Sequence, residues 1–298
     1  MAKVLNGVYC VVNTAFTADQ KALDEAAMRR HLRYVIDEGG VHGVVCTGST
    51  GEFPVLSEEE RKRVVDLTID EVAGKVPVVV GAAACGTADT IRHCQYAEKA
   101  GAAAVMLVHP FYCPPTEVEI EEHYKAVAAS ISIPICIYNN VFCSSYDMKP
   151  EQLCRLANAT DNIRFVKETS GDIKRVHDII LQCGDKMTVV CGDDCLPFES
   201  FCDGAMGWIC ATANVLPQQC VELYKLVVEK KDLDKGRAQY YKLLPFLNLL
   251  EGEGKFVPYC KAGCELLGRP IGPPRRPALP ATPEERKRLK AAIDRALG

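Results

Sequence analysis

Eight short apolar runs, each followed by an amphipathic stretch, constrain this chain more tightly than its composition does. Residues 7–13, 42–47, 76–81, 103–108, 133–138, 163–167, 187–191 and 205–209 read as strands. Between them 24–38, 57–72, 87–99, 117–131, 149–158 and 172–182 read as helices, and Ser57 with Glu60 forms a capping-box signature at the start of one. This α/β order, repeated eight times in about 220 residues, predicts a closed (β/α)8 TIM barrel. An open doubly wound sheet shares the alternation but is marked by a dinucleotide fingerprint, which is missing here.

Beyond about Leu226 the strands stop. Residues 233–250, 256–267 and 282–297 read as helices around a proline-rich link at 270–283. The expected organisation is a barrel over residues 1–225 and a C-terminal helical appendage over 226–298. The appendage, with its ionisable residues at solvent-face spacing, is expected to pack on the barrel or on another subunit rather than carry chemistry.

A net charge of −4 provides no basic field for nucleic acid, and no basic cluster flanks an apolar face to suggest a membrane surface. A small-molecule substrate is the expectation. The first residues lack the apolar core of a secretory signal, and the longest uncharged run, 126–146, is broken by Pro134 and by Asn139-Asn140, so a cytoplasmic location without a membrane span is expected. The sixteen cysteines contain no CxxC pair, and many lie inside apolar runs, as Cys46, Cys136 and Cys210 do. They are expected to be reduced and mostly buried, with no metal site and no disulfide framework.

In such a barrel the chemistry belongs at the C-terminal ends of the strands. Four of these ends carry polar groups: Thr47-Gly48-Ser49-Thr50-Gly51-Glu52, His109-Pro110-Phe111-Tyr112, Tyr138-Asn139-Asn140 and Lys167-Glu168. Gly43 to Ser49 mimics a phosphate loop but lacks its lysine, so a nucleotide is a poor fit. The same turn suits a carboxylate, or serves only as a connection. Lys167 ends an apolar strand beside Phe165 and Val166, where desolvation is expected to lower its pKa and free the amine to attack a ketone. Tyr138 reads either as a rim residue or as a proton donor and acceptor. His109 reads as structural, and Asp193 and Asp194 lack the companions of a metal site.

Taken in order, Gly48-Ser49-Thr50-Gly51-Glu52, Phe111-Tyr112, Ile137-Tyr138-Asn139, Val166 to Asp172, Gly192-Asp193-Asp194 and Thr212-Ala213-Asn214-Val215 resemble the dihydrodipicolinate synthase and N-acetylneuraminate lyase family across essentially the whole chain. The resemblance implies a class I aldolase-like lyase on a (β/α)8 barrel, commonly a homotetramer built as a dimer of dimers, with no metal or organic cofactor. It casts Lys167 as the imine-forming lysine and Tyr138 as the phenol that moves protons. Ser49 and Tyr112 complete a relay, with Tyr112 reaching across the dimer interface. It also implies that the backbone N–H groups of Ser49 and Thr50 grip the carboxylate of a 2-oxo acid, and that Gly192 and Ile209 line the pyruvate pocket.

One departure bears on the substrate. The family's synthases carry an arginine five residues after the strand-five tyrosine, where it meets the second substrate's carboxylate; here that position is Cys143. A thiol cannot replace a bidentate guanidinium. That departure argues against condensation with aspartate semialdehyde, and Tyr138-Asn139-Asn140, Asp172 to Ile179 and Gly207-Trp208 look closer to family members that cleave sugar acids or deaminate a hydroxylated pyrroline carboxylate, so the resemblance favours a pyruvate-type aldolase acting on a 2-keto-3-deoxy acid. The alternatives are 4-hydroxy-tetrahydrodipicolinate synthase, a hydro-lyase or deaminase acting on a hydroxylated pyrroline carboxylate, and a non-catalytic homologue.

Overall fold

A computed structural model describes residues 5–112 and 115–298. Strands β1 (Gly7–Val11), β2 (Gly43–Cys46), β3 (Val78–Gly81), β4 (Ala104–Val108), β5 (Ile135–Asn139), β6 (Ile163–Glu168), β7 (Thr188–Cys191) and β8 (Gly207–Cys210) pair in parallel, each with the next. β8 closes on β1 with Ile209 opposite Tyr9, which completes the (β/α)8 barrel. Strands sandwiched between a packed interior and a helical layer are buried on both faces, which is why they read as unbroken apolar runs.

Alternation along each strand divides the core in two. Tyr9, Val11, Val45, Met106, Cys136, Val190 and Ile209 fill the barrel interior. Val8, Cys10, Val44, Leu107, Ile137 and Trp208 face the helices. The helical layer comprises α1 (Glu25–Arg33), α2 (Glu58–Val72), α3 (Thr87–Ala100), α4 (Glu117–Ala128), the short α5 (Val141–Ser144), α6 (Pro150–Ala159), α7 (Lys174–Cys183), α8 (Pro197–Cys202) and α9 (Pro217–Tyr224). Both α1 and α9 run on into a π-helical turn, Tyr34–Glu38 and Lys225–Glu229. Ser57 caps α2 with the expected box: its hydroxyl accepts from the Glu60 amide, and the Glu60 carboxylate accepts from the Ser57 amide.

The cysteines depart from expectation at one pair. Cys154 on α6 and Cys183 on α7 form a disulfide with a Cα–Cα separation of 5.6 Å. They are 29 residues apart in sequence and meet because α6 and α7 pack side by side, which the sequence spacing does not reveal. Thirteen cysteines are free among the described residues, most of them buried. No helix among those residues is long and apolar enough to cross a membrane.

Three further helices follow: α10 (Leu233–Gly252), α11 (Phe256–Leu266) and α12 (Pro283–Leu297). They are tied to the mouth of the barrel by a buried ion pair, Lys261 of α11 with Glu52 after β2, at 2.7 Å. Glu52 sits in the left-handed region at φ 60°, and its second oxygen accepts from the Arg275 amide at 2.8 Å. Arg275 also pairs with Glu60, and the Phe16 ring lies within 4.6 Å of the Lys261 amine and 4.0 Å of the Arg275 guanidinium. Lys261→Met alone would strand the Glu52 charge in the interior. It is expected to cost about 3–5 kcal/mol in chemical denaturation. The double variant Lys261→Met with Glu52→Gln is expected to recover part of that loss.

Candidate active site

The pairing of β5 with β6 sets Tyr138 opposite Lys167. Both side chains are buried, and the lysine Nζ lies 4.0 Å from the centre of the phenol ring. Register partners on adjacent parallel strands face the same side, so the barrel itself delivers this pair. They open onto a small cleft of about 40 Å³ at the C-terminal ends of the strands. Ser49, Thr50, Asn140, Thr169, Gly192, Asp194, Glu251 and Phe256 also line it.

Burial does press the Lys167 pKa down, as the sequence suggested. The Tyr138 phenol, Asp194 and Glu251 oppose it, and the net direction is upward from 10.5. The expectation of a lowered pKa is therefore corrected: these acidic neighbours arrive from three separate segments, and together they outweigh desolvation. In the resting site the amine holds its proton. The Tyr138 oxygen accepts from Asn140 Nδ2 at 2.7 Å, while Asn140 Oδ1 accepts from the Cys143 amide at 3.0 Å and so caps α5. With that acceptance satisfied, the phenolic proton is free to point elsewhere.

Gly192, just past β7, makes room for the lysine. A Cβ there would lie 2.0 Å from Thr169 Oγ1 and 2.6 Å from Lys167 Cγ, closer than real contacts allow. The turn after β2 is pinned from below: Asn13 Nδ2 donates to the Thr50 carbonyl at 3.0 Å, and Thr14 Oγ1 to the Gly51 carbonyl at 2.6 Å. Thr47, at φ 51°, is held there by its hydroxyl donating to the Cys46 and Gly81 carbonyls. The N–H groups of Ser49 and Thr50 find no acceptor among the described residues, leaving two donors for a carboxylate.

Other sequence candidates fall outside the cleft, or, like Asp194, line it with their polar atoms already engaged. Ile209 is buried in the apolar fill of the barrel, and Tyr112 is 78% exposed. His109 is buried between Tyr124 Oη at 2.9 Å and Asn139 Oδ1 at 3.3 Å. Desolvation lowers its pKa to about 4, so it is neutral and structural. Asp194 is buried and spent: Oδ1 accepts from the Trp208 indole, and Oδ2 from the Ala211 and Thr212 amides and the Thr212 hydroxyl. Cys143 is exposed near the site, and no arginine lines the cleft. The buried Arg175 is committed to Asp147 and to the Met148 carbonyl.

Sequence reasoning missed Glu251 and Phe256, because they belong to helices expected to carry no chemistry. Glu251 accepts from the Asp194 amide at 3.0 Å. It keeps solvent-exposed surface, yet desolvation of its carboxyl and the nearby Asp194 raise its pKa to about 7. Nothing in the run Leu249-Leu250-Glu251 marks it, since its place depends on how α10 docks. Thr169 was also missed; its hydroxyl is buried without a hydrogen-bond partner.

Residues 4–296 match the dihydrodipicolinate synthetase family. A 4-hydroxy-tetrahydrodipicolinate synthase of Methanopyrus kandleri is 35% identical over 97% of this chain and 95% of its own length. Among solved structures, the 4-hydroxy-tetrahydrodipicolinate synthase of Methylacidiphilum fumariolicum SolV superposes with a TM-score of 0.93 at 30% identity, covering 98% of this chain and 96% of that one. YagE of Escherichia coli K12, a prophage protein of the dihydrodipicolinic acid synthase family solved with pyruvate, gives 0.93 at 29% identity over 99% of both chains. The chain belongs to the dihydrodipicolinate synthetase family and is an enzyme of its lysine Schiff-base lyase class.

Proposed function

We propose that Lys167 forms an imine with C2 of a pyruvate-type 2-oxo acid, and that the protein is an aldolase acting on a 2-keto-3-deoxy acid. The observation that carries this reading is the Lys167 amine 4.0 Å from the Tyr138 ring, in a cleft whose lining includes no arginine. The substrate carboxylate is received by the N–H groups of Ser49 and Thr50. The ammonium of Lys167 gives up a proton, the amine attacks C2, and the carbinolamine loses water to an iminium. That cation withdraws electrons, so the C3–C4 bond breaks to an enamine while the C4 hydroxyl yields its proton and becomes a carbonyl. Tyr138 takes and returns these protons, Ser49 belongs to its relay, and Tyr112 joins it from a neighbouring subunit of a homotetramer. Gly192 shapes the pyruvate end, with Ile209 in the apolar fill of the barrel supporting it rather than lining it. No metal or organic cofactor is needed for these steps, and we place the enzyme in the cytoplasm.

A second reading concerns the partner of the same imine. The names of the relatives favour 4-hydroxy-tetrahydrodipicolinate synthesis, the condensation of pyruvate with aspartate semialdehyde, more directly than they favour aldol cleavage. Against it stands Cys143, with no cation to meet the semialdehyde's carboxylate. Elimination from a hydroxylated pyrroline carboxylate would run through the same lysine. Side-by-side assay of 2-keto-3-deoxy sugar acids, pyruvate with aspartate semialdehyde, and the hydroxylated pyrroline carboxylate separates the three; turnover of aspartate semialdehyde alone would sink the aldolase reading.

Borohydride with pyruvate is expected to attach a three-carbon adduct to Lys167, read by peptide mass, and Lys167→Ala to abolish it. Tyr138→Phe is expected to lower kcat by about 10²–10⁴-fold. Because the amine titrates above 10.5, the reactive neutral fraction grows with pH. Single-turnover trapping is expected to rise about tenfold per pH unit between roughly pH 6 and 8. A flat profile would show that amine deprotonation does not limit the step.

A further inference from the structure

Three ionisable side chains line the cleft apart from the Tyr138 phenol: Lys167, Asp194 and Glu251. Lys167 is claimed by the substrate's reacting carbon, and Asp194 spends both oxygens on the Trp208 indole and on the Ala211–Thr212 backbone. Glu251 spends only one. Its Oε1 accepts from the Asp194 amide, and Oε2 has no hydrogen-bond partner among the described residues.

Depth orders the same groups. Lys167 is buried, with 6% of its surface exposed, whereas Glu251 keeps solvent-exposed surface at the end of α10. A substrate held by its C2 at Lys167 therefore extends outward past Glu251. A second feature of the cleft independently asks for a hydrogen-bonding ligand: the Oγ1 of Thr169, a residue 5% exposed, is buried with no hydrogen-bond partner among the described residues. On the outward path the family's arginine is replaced by Cys143, and Asp193 lies near enough to Lys167 to be affected by its charge. Along that path the lining offers the Glu251 carboxylate and no arginine.

We propose that Glu251 is the specificity-determining residue for the end of the substrate that does not react, accepting hydrogen bonds from an uncharged polyhydroxyl chain and turning away a second carboxylate. The proposal rests on the Schiff-base reading above. Acceptance of hydroxyl protons costs a carboxylate little, whereas a carboxylate at the far end of the ligand meets the Glu251 charge with no arginine in the lining to offset it. Burial and the nearby Asp194 raise the Glu251 pKa to about 7, so the charge that turns away a second carboxylate is present above that pH and lost below it, while hydroxyls are accepted by either form.

Glu251→Gln tests this with little change in shape, because its amide oxygen can still accept from Asp194. Pyruvate with borohydride is the control, since pyruvate has no far end to be selected. The panel is a six-carbon 2-keto-3-deoxy sugar acid against pyruvate with aspartate semialdehyde, measured as kcat/KM in wild type and Glu251→Gln. The wild type is expected to prefer the sugar acid. In the variant, the preference is expected to shift about tenfold toward the anionic aldehyde, through KM, while pyruvate is still trapped. An unchanged ratio with trapping intact would overturn the role of Glu251 and leave the Schiff base standing. A wild type that prefers aspartate semialdehyde would overturn it too. Failure of pyruvate trapping in the wild type would remove the Schiff-base reading itself, and this proposal with it.

Discussion

Closure of eight parallel strands in register is the constraint on which the site depends. Once β8 pairs with β1, every inward-facing side chain has a fixed height, and Tyr138 and Lys167 meet because β5 and β6 leave them level. Val190 occupies the same level on β7, and just beyond that strand comes Gly192, where any side chain would collide with the lysine. The catalytic arrangement is thus a property of the sheet rather than of a loop. Loops supply the adjustable parts: the turn after β2, the cap that Asn140 makes on α5, and the arrival of α10.

This division explains what was legible in the sequence. Strands buried on two faces announce themselves as apolar runs, and all eight lie where those runs predict. Lys167 and Tyr138 were legible because a polar residue closing such a run is conspicuous. Helices α8 and α9, six and eight residues long, are too short to show a period of their own. The direction of the Lys167 pKa was not legible either. Its acidic neighbours come from β5, from the segment after β7 and from α10, and only the fold sums their effects. Cys154 and Cys183 were misread for the same reason, being neighbours through helix packing alone.

The C-terminal helices also do more than their composition suggests. The Lys261–Glu52 pair fastens them to the turn whose amides face the cleft, and α10 carries Glu251 into the lining. One appendage therefore both braces the turn after β2 and contributes Glu251 and Phe256 to the cleft wall. Its charged residues read as solvent-facing in one dimension because their partners lie on the barrel.

The filled interior has a kinetic consequence. Val11 and Met106 line the cleft and belong to the apolar fill of the barrel interior. The cleft runs inward toward that fill, with Lys167 buried and Glu251 keeping exposed surface. A molecule tethered at the bottom by a covalent bond to Lys167 blocks nothing but itself, whereas anything nearer the mouth must leave before the tethered fragment can. Under the proposed cleavage the substrate enters whole, and the carbonyl fragment nearer the mouth leaves before the fragment held on Lys167 can.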